Sequence, residues 1–457
     1  MRLYNKKFLF LLVPICLLAC RKYVENVPIQ GQRVIEYTDD YRMLMNYNDV
    51  LQVAYGLAPA LSSDDIDLTA SALQDMLKNN IIQTTMYTWG KPFYTGTNSD
   101  YDWNGLYNQI YTCNTVIKDV KDSKGGTDVL KNTILGEALV HRSFDYFMLA
   151  NLYAKQYDPA TAGQDPSVPM LLEPKLFVNL TRTPVQTLYS RIIEDTKRAI
   201  PLLPIKQEIN FRPNKAAAYA LLSKIYLFMR DFNNASLYAD STLSLSSDLY
   251  DYNTSLTGYP TQFNNKQVLL RKTARATVNV QQLSESLLNL LGTKDLRYTL
   301  FVRPGSSFSP SFTGAGYWSP AIYNAYPDNP AIGLTVNETW LIKAECLARG
   351  GKLVEALKML NDFRKLRFKP TDYVELTALT DEDALRLVIN ERRLEFFGTG
   401  LRWFDQRRLD KDAIFAQTYT RVFNNITYTL PPKSNKFVFP FDQLSISLNP
   451  ELIQNPD

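Results

Sequence analysis

From about residue 100 onward the apolar positions recur with the period of an α-helix, and they do so in pairs of segments. In one pair Leu222, Ser223, Tyr226, Phe232, Ala235 and Ala239 fall on two helices joined through Met229-Arg230-Asp231. A later pair repeats the layout with Trp340, Ala344, Leu347, Leu353, Ala356 and Leu360, turning through Gly350-Gly351. In both, small residues twelve apart (Ser223 and Ala235, Ala344 and Ala356) stand where two antiparallel helices come closest, which is the tetratricopeptide pattern. Two further pairs are predicted, from Asp102 to Val120 with Asn132 to Tyr153, and from Val185 to Leu203 leading into residues 215–229. Pro184 and Pro213 are placed at helix starts, where proline is tolerated.

Segments 84–101 and 248–334 break this period. They are rich in Tyr, Phe, Gly, Pro, Ser and Asn and predict ordered loops with short strands. The expected fold is therefore mainly α, with tetratricopeptide-like hairpins interrupted by long aromatic-rich insertions. Such spacing argues against a regular solenoid and for a helical scaffold that supports loops.

The N-terminus follows another pattern. Arg2, Lys6 and Lys7 precede an apolar run from Phe8 to Leu18 that ends at Leu17-Leu18-Ala19-Cys20. This is an export signal, and a cysteine after the cut points to lipid attachment at Cys20. Residues 1–19 are the expected signal peptide and residues 20–45 a lipidated tether. The apolar run is shorter than the ~20 residues a membrane-spanning helix needs, so the membrane is reached through acyl chains. Cys16 is lost with the signal.

Composition narrows the chemistry. A chain of 457 residues with 45% hydrophobic content can bury a large core. The formal net charge of +4 includes three positive charges from the signal, and no long basic run offers a nucleic-acid surface. Cys113 and Cys346 are expected as buried free thiols. His141 is the sole histidine, so neither a zinc ligand set nor a catalytic triad is supported, and it reads as a structural helix residue. No metal, nucleotide or redox cofactor is implied.

Glu391 and Glu395 lie one helical turn apart and could be mistaken for a hydrolytic pair. Glycoside hydrolysis needs carboxyls facing each other across roughly 5 to 10 Å. Two glutamates on one turn, flanked by Arg392 and Arg393, instead predict ion pairs locking this helix to Arg402, Asp405 and Arg408, with Gly398 and Gly400 ending it. Asp64, Asp65 and Asp67 are expected at a helix start.

Several motifs now stand in order: Trp103-Asn104-Gly105-Leu106-Tyr107 with Ile110 and Asn114; Gly136-Glu137-Ala138 leading to Arg142 and Tyr146-Phe147-Met148-Leu149; and Val168-Pro169. Then follow Tyr189 with Ile192-Ile193-Glu194-Asp195, Leu202-Leu203-Pro204, Lys215-Ala216-Ala217 and Tyr226-Leu227. Late in the chain come Ala344-Glu345-Cys346-Leu347-Ala348, Ala356-Leu357 with Leu360-Asn361 and Arg364, and Glu391 to Phe396 with Arg402-Trp403-Phe404-Asp405-Gln406-Arg407-Arg408. With the lipid cysteine, this order resembles the SusD/RagB family of outer-membrane nutrient-binding lipoproteins of Bacteroidetes. The resemblance covers nearly the whole mature chain, taken as one domain over 46–457 with parts 46–245 and 246–457. It implies four tetratricopeptide-like hairpins, a lipid-anchored position on the outer membrane facing the exterior, and a SusC-like TonB-dependent transporter as partner. It also implies binding of oligosaccharide, or of peptide in the RagB branch, without catalysis. Arg21-Lys22-Tyr23-Val24-Glu25 lacks the acidic run that many surface-exposed lipoproteins of these bacteria carry after the cysteine, so exposure rests on the family alone.

A glycan site combines flat aromatic rings for C–H faces with planar amide or charged partners for hydroxyls. Two loops carry that mixture: Met86 to Asp100, with Trp89, Tyr94 and Asn98, and Phe312 to Asn329, with Tyr317, Trp318, Tyr323, Tyr326 and Asp328. These are the expected ligand-binding residues, while Trp103, Trp340 and Trp403 are expected in the core. The alternatives are a peptide-binding import protein and a lipid-anchored glycosidase.

Overall fold

A computed structural model of the chain describes residues 35–47, 51–254, 265–274, 281–314, 316–319 and 332–457. The signal peptide, Cys20, Tyr323, Tyr326 and Asp328 lie outside the described residues. The end of the expected tether forms helix α1 (Thr38–Met45), whose Tyr41 and Met45 are buried in the main core. Short helices α2 (Leu57–Ser62), α3 (Ser71–Lys78) and α4 (Ile81–Tyr87) follow. The last of these occupies the start of a segment expected as loop.

The frame begins at α5 (Tyr101–Asp119), which the Asp100 carboxylate caps by accepting from the Asp102 and Trp103 amides. Helix α6 (Asp128–Tyr153) is the centre of the fold, buried on every side from Ile134 to Tyr153, as a helix apolar all round should be. His141 sits there, and its Nε2–H donates to the Phe211 carbonyl at 3.2 Å. Burial and Lys272 hold its imidazole well below its ordinary range, hence neutral. Helix α7 (Val185–Ala199) packs on α6 after Pro184. Before α8 (Lys215–Phe228) the expected proline start is replaced by an asparagine cap: Asn214 accepts from the Ala217 amide at 2.9 Å, which Pro213 has no side-chain group to do.

The hairpin of α8 with α9 (Phe232–Leu245) closes where the spacing placed it. Ser223 and Ala235 are fully buried, and Ser223 Oγ donates to the Ala235 carbonyl at 2.9 Å. Arg230 makes the turn with φ 65° and Asp231 caps α9. Cys113 and Cys346 are buried free thiols.

The insertion expected as loops carries strands β1 (Val268–Leu270), β2 (Gln281–Gln282), β3 (Val302–Arg303), β4 (Tyr317–Trp318) and β5 (Leu334–Thr335), together with helices α10 (Glu285–Leu291) and α11 (Leu296–Phe301). β1 pairs antiparallel with β5, Val268 opposite Thr335. Gly333 lets the two backbones meet, because a Cβ there would fall 2.0 Å from the Leu270 carbonyl oxygen. The other three strands run in the order β2-β4-β3.

Helices α12 (Val336–Arg349) and α13 (Leu353–Lys365) form the second expected hairpin, with Ala344 and Ala356 fully buried and Gly351 turning at φ 71°. Helix α14 (Asp381–Phe396) is capped by Thr380, and α15 (Leu401–Leu409) starts at Gly400. Strands β6 (Tyr419–Phe423) and β7 (Ile426–Leu430) meet through Asn424 and Asn425, both at positive φ. An Asn pair of this kind suits a two-residue hairpin turn. A short α16 (Gln443–Leu448) completes the described elements.

Buried charge fastens these parts together. Lys224, Glu338, Arg392, Asp405, Arg408 and Glu345 form a chain of pairs between 2.6 and 3.0 Å that links α8, α12, α14 and α15. Burial alone would raise the Glu345 carboxyl, but Arg408 and Arg349 outweigh it and hold it at about 2. Asp405 thus locks α14 to α15 as expected. The two glutamates do not: Glu391 pairs with Arg297 and Arg364, and Glu395 with Arg297 and Arg367. Their partners come from α11 and the end of α13, which no local spacing could reveal. The acidic trio starts no helix either. It follows α2, and Asp64 and Asp65 receive Arg402 and Arg393 at 2.7 and 2.8 Å.

Candidate ligand-binding site

Most of the rings expected to bind ligand point inward. Trp89 is 3% exposed, its indole N–H donates to the Ser62 carbonyl, and the Arg421 guanidinium lies 4.2 Å over its ring. Trp318 is 1% exposed and packs on Gly398, where any Cβ would meet the indole at 2.4 Å. Tyr317 is fully buried, stacks on Phe312 and donates its hydroxyl to the Thr313 carbonyl. The three rings belong to three different hydrophobic clusters. Tyr94 is half-buried against the main core, and burial with Asp100 raises its phenol well above the ordinary value. Asn98 is exposed in a turn. The described part of the two loops therefore builds no shared aromatic platform. Trp103 and Trp403 are core residues as expected, and Trp340 is partly buried with its N–H on the Met359 carbonyl.

An open cleft of about 590 Å³ lies elsewhere, between the outer face of α5 and residues 171–180. Its volume is within the range of small-ligand sites. Trp103, Tyr107, Tyr111 and Asn114 recur at helical spacing and form one wall. Leu106, Ile110, Cys113 and Val116 fill the core side of the same helix, so α5 carries more apolar surface than one core requires. That second stripe, beside Trp103 and its expected place in the core, is the signal of the cleft in the sequence.

The opposite wall is anchored at its base and open at its tip. Tyr107 donates to the Pro169 carbonyl at 2.7 Å, Asn114 to the Leu171 carbonyl at 2.9 Å, and Tyr146 to the same carbonyl at 2.6 Å. On the far side Glu451 accepts from the Leu180 amide, and Arg182 ties Ser167, Pro166 and Ile453 together through their carbonyls. Between these anchors Leu176 and Phe177 stand exposed, Phe177 at φ 54°. A bulky non-glycine residue held in that region is uncommon and tends to mark a functional segment. Tyr111 is 39% exposed and faces the same space. Asn108, Asn449, Glu173 and Lys175 supply amide and charged groups around the rings. Rings for stacking and planar amides for hydroxyls are the components a saccharide requires.

The carboxylate that lines this cleft, Glu173, is paired with Lys175 at 2.6 Å. Glu391 and Glu395 are buried in ion pairs far along the chain from it. Among the described residues no group of His, Cys, Asp and Glu is disposed to hold a metal ion, and no helix is long and apolar enough to cross a membrane.

Residues 29–227 match a family described as starch-binding and associating with the outer membrane, and residues 336–457 match the SusD family. The chain belongs to the SusD/RagB family. SusD-family crystal structures share its fold along almost the whole length. A SusD superfamily protein from Bacteroides thetaiotaomicron superposes with a TM-score of 0.75 at 20% identity, covering 92% of this chain and 100% of that one. The surface glycan-binding protein A of Bacteroides uniformis gives 0.68 at 18% identity, over 91% and 99% of the two chains. A SusD-like carbohydrate binding protein of Bacteroides vulgatus gives 0.66 at 18%, over 91% and 97%. A stretch of 76 residues is 34% identical to the SusD-like protein P38 of Formosa agariphila, spanning 16% of this chain and 15% of that relative. Apart from Asn449, the SusD-family match that contains the cleft is the first one, since its lining runs from Trp103 to Leu180.

Proposed function

We propose that this chain is a lipid-anchored protein of the outer-membrane surface that binds oligosaccharide and passes it to a SusC-like TonB-dependent transporter, making and breaking no bonds. The observation that carries the reading is the cleft on α5, whose aromatic face and rim amides suit a sugar chain, in a fold shared with a surface glycan-binding protein. Lipidation at Cys20 and the hand-off to the transporter come from the signal sequence and the family. A second reading, peptide capture, is favoured by the exposed Leu176-Phe177 tip, which an apolar side chain could cover.

The test is calorimetric titration of the mature chain against panels of oligosaccharides and peptides, in parallel with Tyr111→Ala. Saccharide binding that the variant loses supports the reading. Peptide binding alone moves the protein to the RagB-like branch, and silence from both panels overturns the site.

A further inference from the structure

The α5 cleft offers carbon on both of its walls. On the helix side Tyr107 is half-buried and Tyr111 is 39% exposed, and both line the space. On the strap side Leu176 and Phe177 stand exposed, Val178 and Leu180 are half-buried, and all four line the same space. The walls are joined at their base, where Tyr107 and Asn114 reach from α5 to the Pro169 and Leu171 carbonyls at 2.7 and 2.9 Å. A ligand lying in the cleft therefore has aromatic rings on one side and aliphatic and phenyl groups on the other.

The polar groups within the cleft are engaged, and those with capacity to spare meet water. The Tyr107 hydroxyl and the Asn114 amide nitrogen are given to the strap, and the Asn114 side-chain oxygen accepts from Arg142 at 2.8 Å. Asn108, Glu173 and Lys175 are exposed, and Asn449 is half-buried with its amide nitrogen on the Ser445 carbonyl. A ligand hydroxyl at the edge of the cleft meets an amide, a charge or solvent. One pressed onto either wall meets carbon, and its lost hydrogen bonds to water are not replaced.

We infer that this cleft selects saccharides whose hydroxyls and linkages are all equatorial, β-linked glucan or xylan chains, against saccharides that carry an axial oxygen. The inference rests on the reading of the cleft as the saccharide site. In an all-equatorial pyranose both ring faces present only C–H and the oxygens circle the edge, so either face can lie on an apolar wall. The axial hydroxyl of mannose or galactose, or the axial linkage of a maltodextrin, puts an oxygen on one face. Because both walls are apolar, turning the ring over does not spare that oxygen.

The experiment titrates the mature chain with cellotetraose and xylotetraose, which are all-equatorial, and with mannotetraose, a β-linked galactotetraose and maltotetraose, which are not. At least one of the first pair should bind about tenfold or more tighter than every member of the second set, the cost of one hydroxyl left without a partner. Leu176→Asn places an amide on the strap wall, and Tyr111→Ala takes a ring off the helix wall. Both positions are exposed, so both variants should keep the parent's melting temperature, and each should shrink the ratio by about threefold or more. An axial saccharide bound as tightly as the best equatorial one, or a ratio unmoved by both variants, overturns the selectivity and leaves the saccharide reading in place. Silence from every saccharide overturns that reading and the selectivity with it.

Discussion

Two groups of aromatic rings carry opposite lessons. Trp89, Tyr317 and Trp318 sit in segments rich in Gly, Asn and Ser, the composition of a binding loop, and are buried. Tyr107, Tyr111 and Phe177 sit on a helix face and an anchored strap, and they border open space. The difference lies in what each polar handle and each ring face already has. The Trp89 N–H is spent on Ser62 and its face on Arg421, whereas Tyr107, with its hydroxyl on Pro169 and its ring 4.6 Å from that of Trp103, still borders the cleft. A ring is available when its ties leave part of it on open space.

Replacing a ring of the first group should therefore cost stability and not binding. Trp318→Ala removes an indole seated on Gly398 and leaves a cavity, so about 3 to 5 kcal/mol of unfolding free energy should be lost in urea. Saccharide affinity of the folded fraction should be unchanged. A tenfold fall in affinity at full stability would return Trp318 to the ligand.

Charges divide in the same way. Glu345 is buried between Arg408 and Arg349 and titrates at about 2 instead of the ordinary 4.5. Because its folded value is depressed, its contribution is present above about pH 4.5 and is lost as pH falls toward 2, on the order of 3 kcal/mol. Asp100 and Asp145, which burial raises to about 6, act oppositely: their contribution is lost as pH rises through that value. Glu345→Gln should lower stability at pH 7 by roughly 3 kcal/mol, since it leaves Arg408 short of a partner, and should flatten the acid limb of a denaturation series. Glu173, which pairs with Lys175 in the open at the cleft rim, should give no measurable change in midpoint on conversion to glutamine. A flat response from Glu345→Gln would mean that the network is solvated.

What could be read in advance follows from the range of the interactions. Helical hairpins are local: small residues twelve apart bring α8 onto α9 through Ser223 and Ala235, so those elements were legible. The β6–β7 hairpin shows in the sequence only as the Asn424-Asn425 pair between two short alternating runs. The partners of Glu391 and Glu395 come from residues 297, 364 and 367, and no periodicity encodes such a meeting. The cleft was half legible. Its helix wall shows as a second apolar stripe on α5, but the strap from Leu171 to Leu180 is brought over it by side-chain bonds to carbonyls, which leave no mark in the pattern.

Tyr111→Ala tests the open group directly. The residue is already 39% exposed, so its removal should change stability by no more than about 0.5 kcal/mol. Loss of one stacking ring should weaken a bound saccharide by about 1 kcal/mol or more, read as a fivefold or larger rise in Kd. An unfolding cost above the binding cost would move Tyr111 to the buried group.

The smallest effect is expected at Phe177. Its backbone stands at φ 54°, so Phe177→Gly relieves the steric cost of a left-handed residue while giving the unfolded chain more freedom, and the two nearly cancel within about 1 kcal/mol. Phe177→Ala keeps that cost and removes the ring. If the ring closes over ligand, both variants should weaken binding equally, by severalfold, whatever their stabilities. If the strap's shape is what matters, alanine should bind like the parent and glycine alone should lose affinity, because only glycine frees the backbone between the Leu171 and Leu180 anchors.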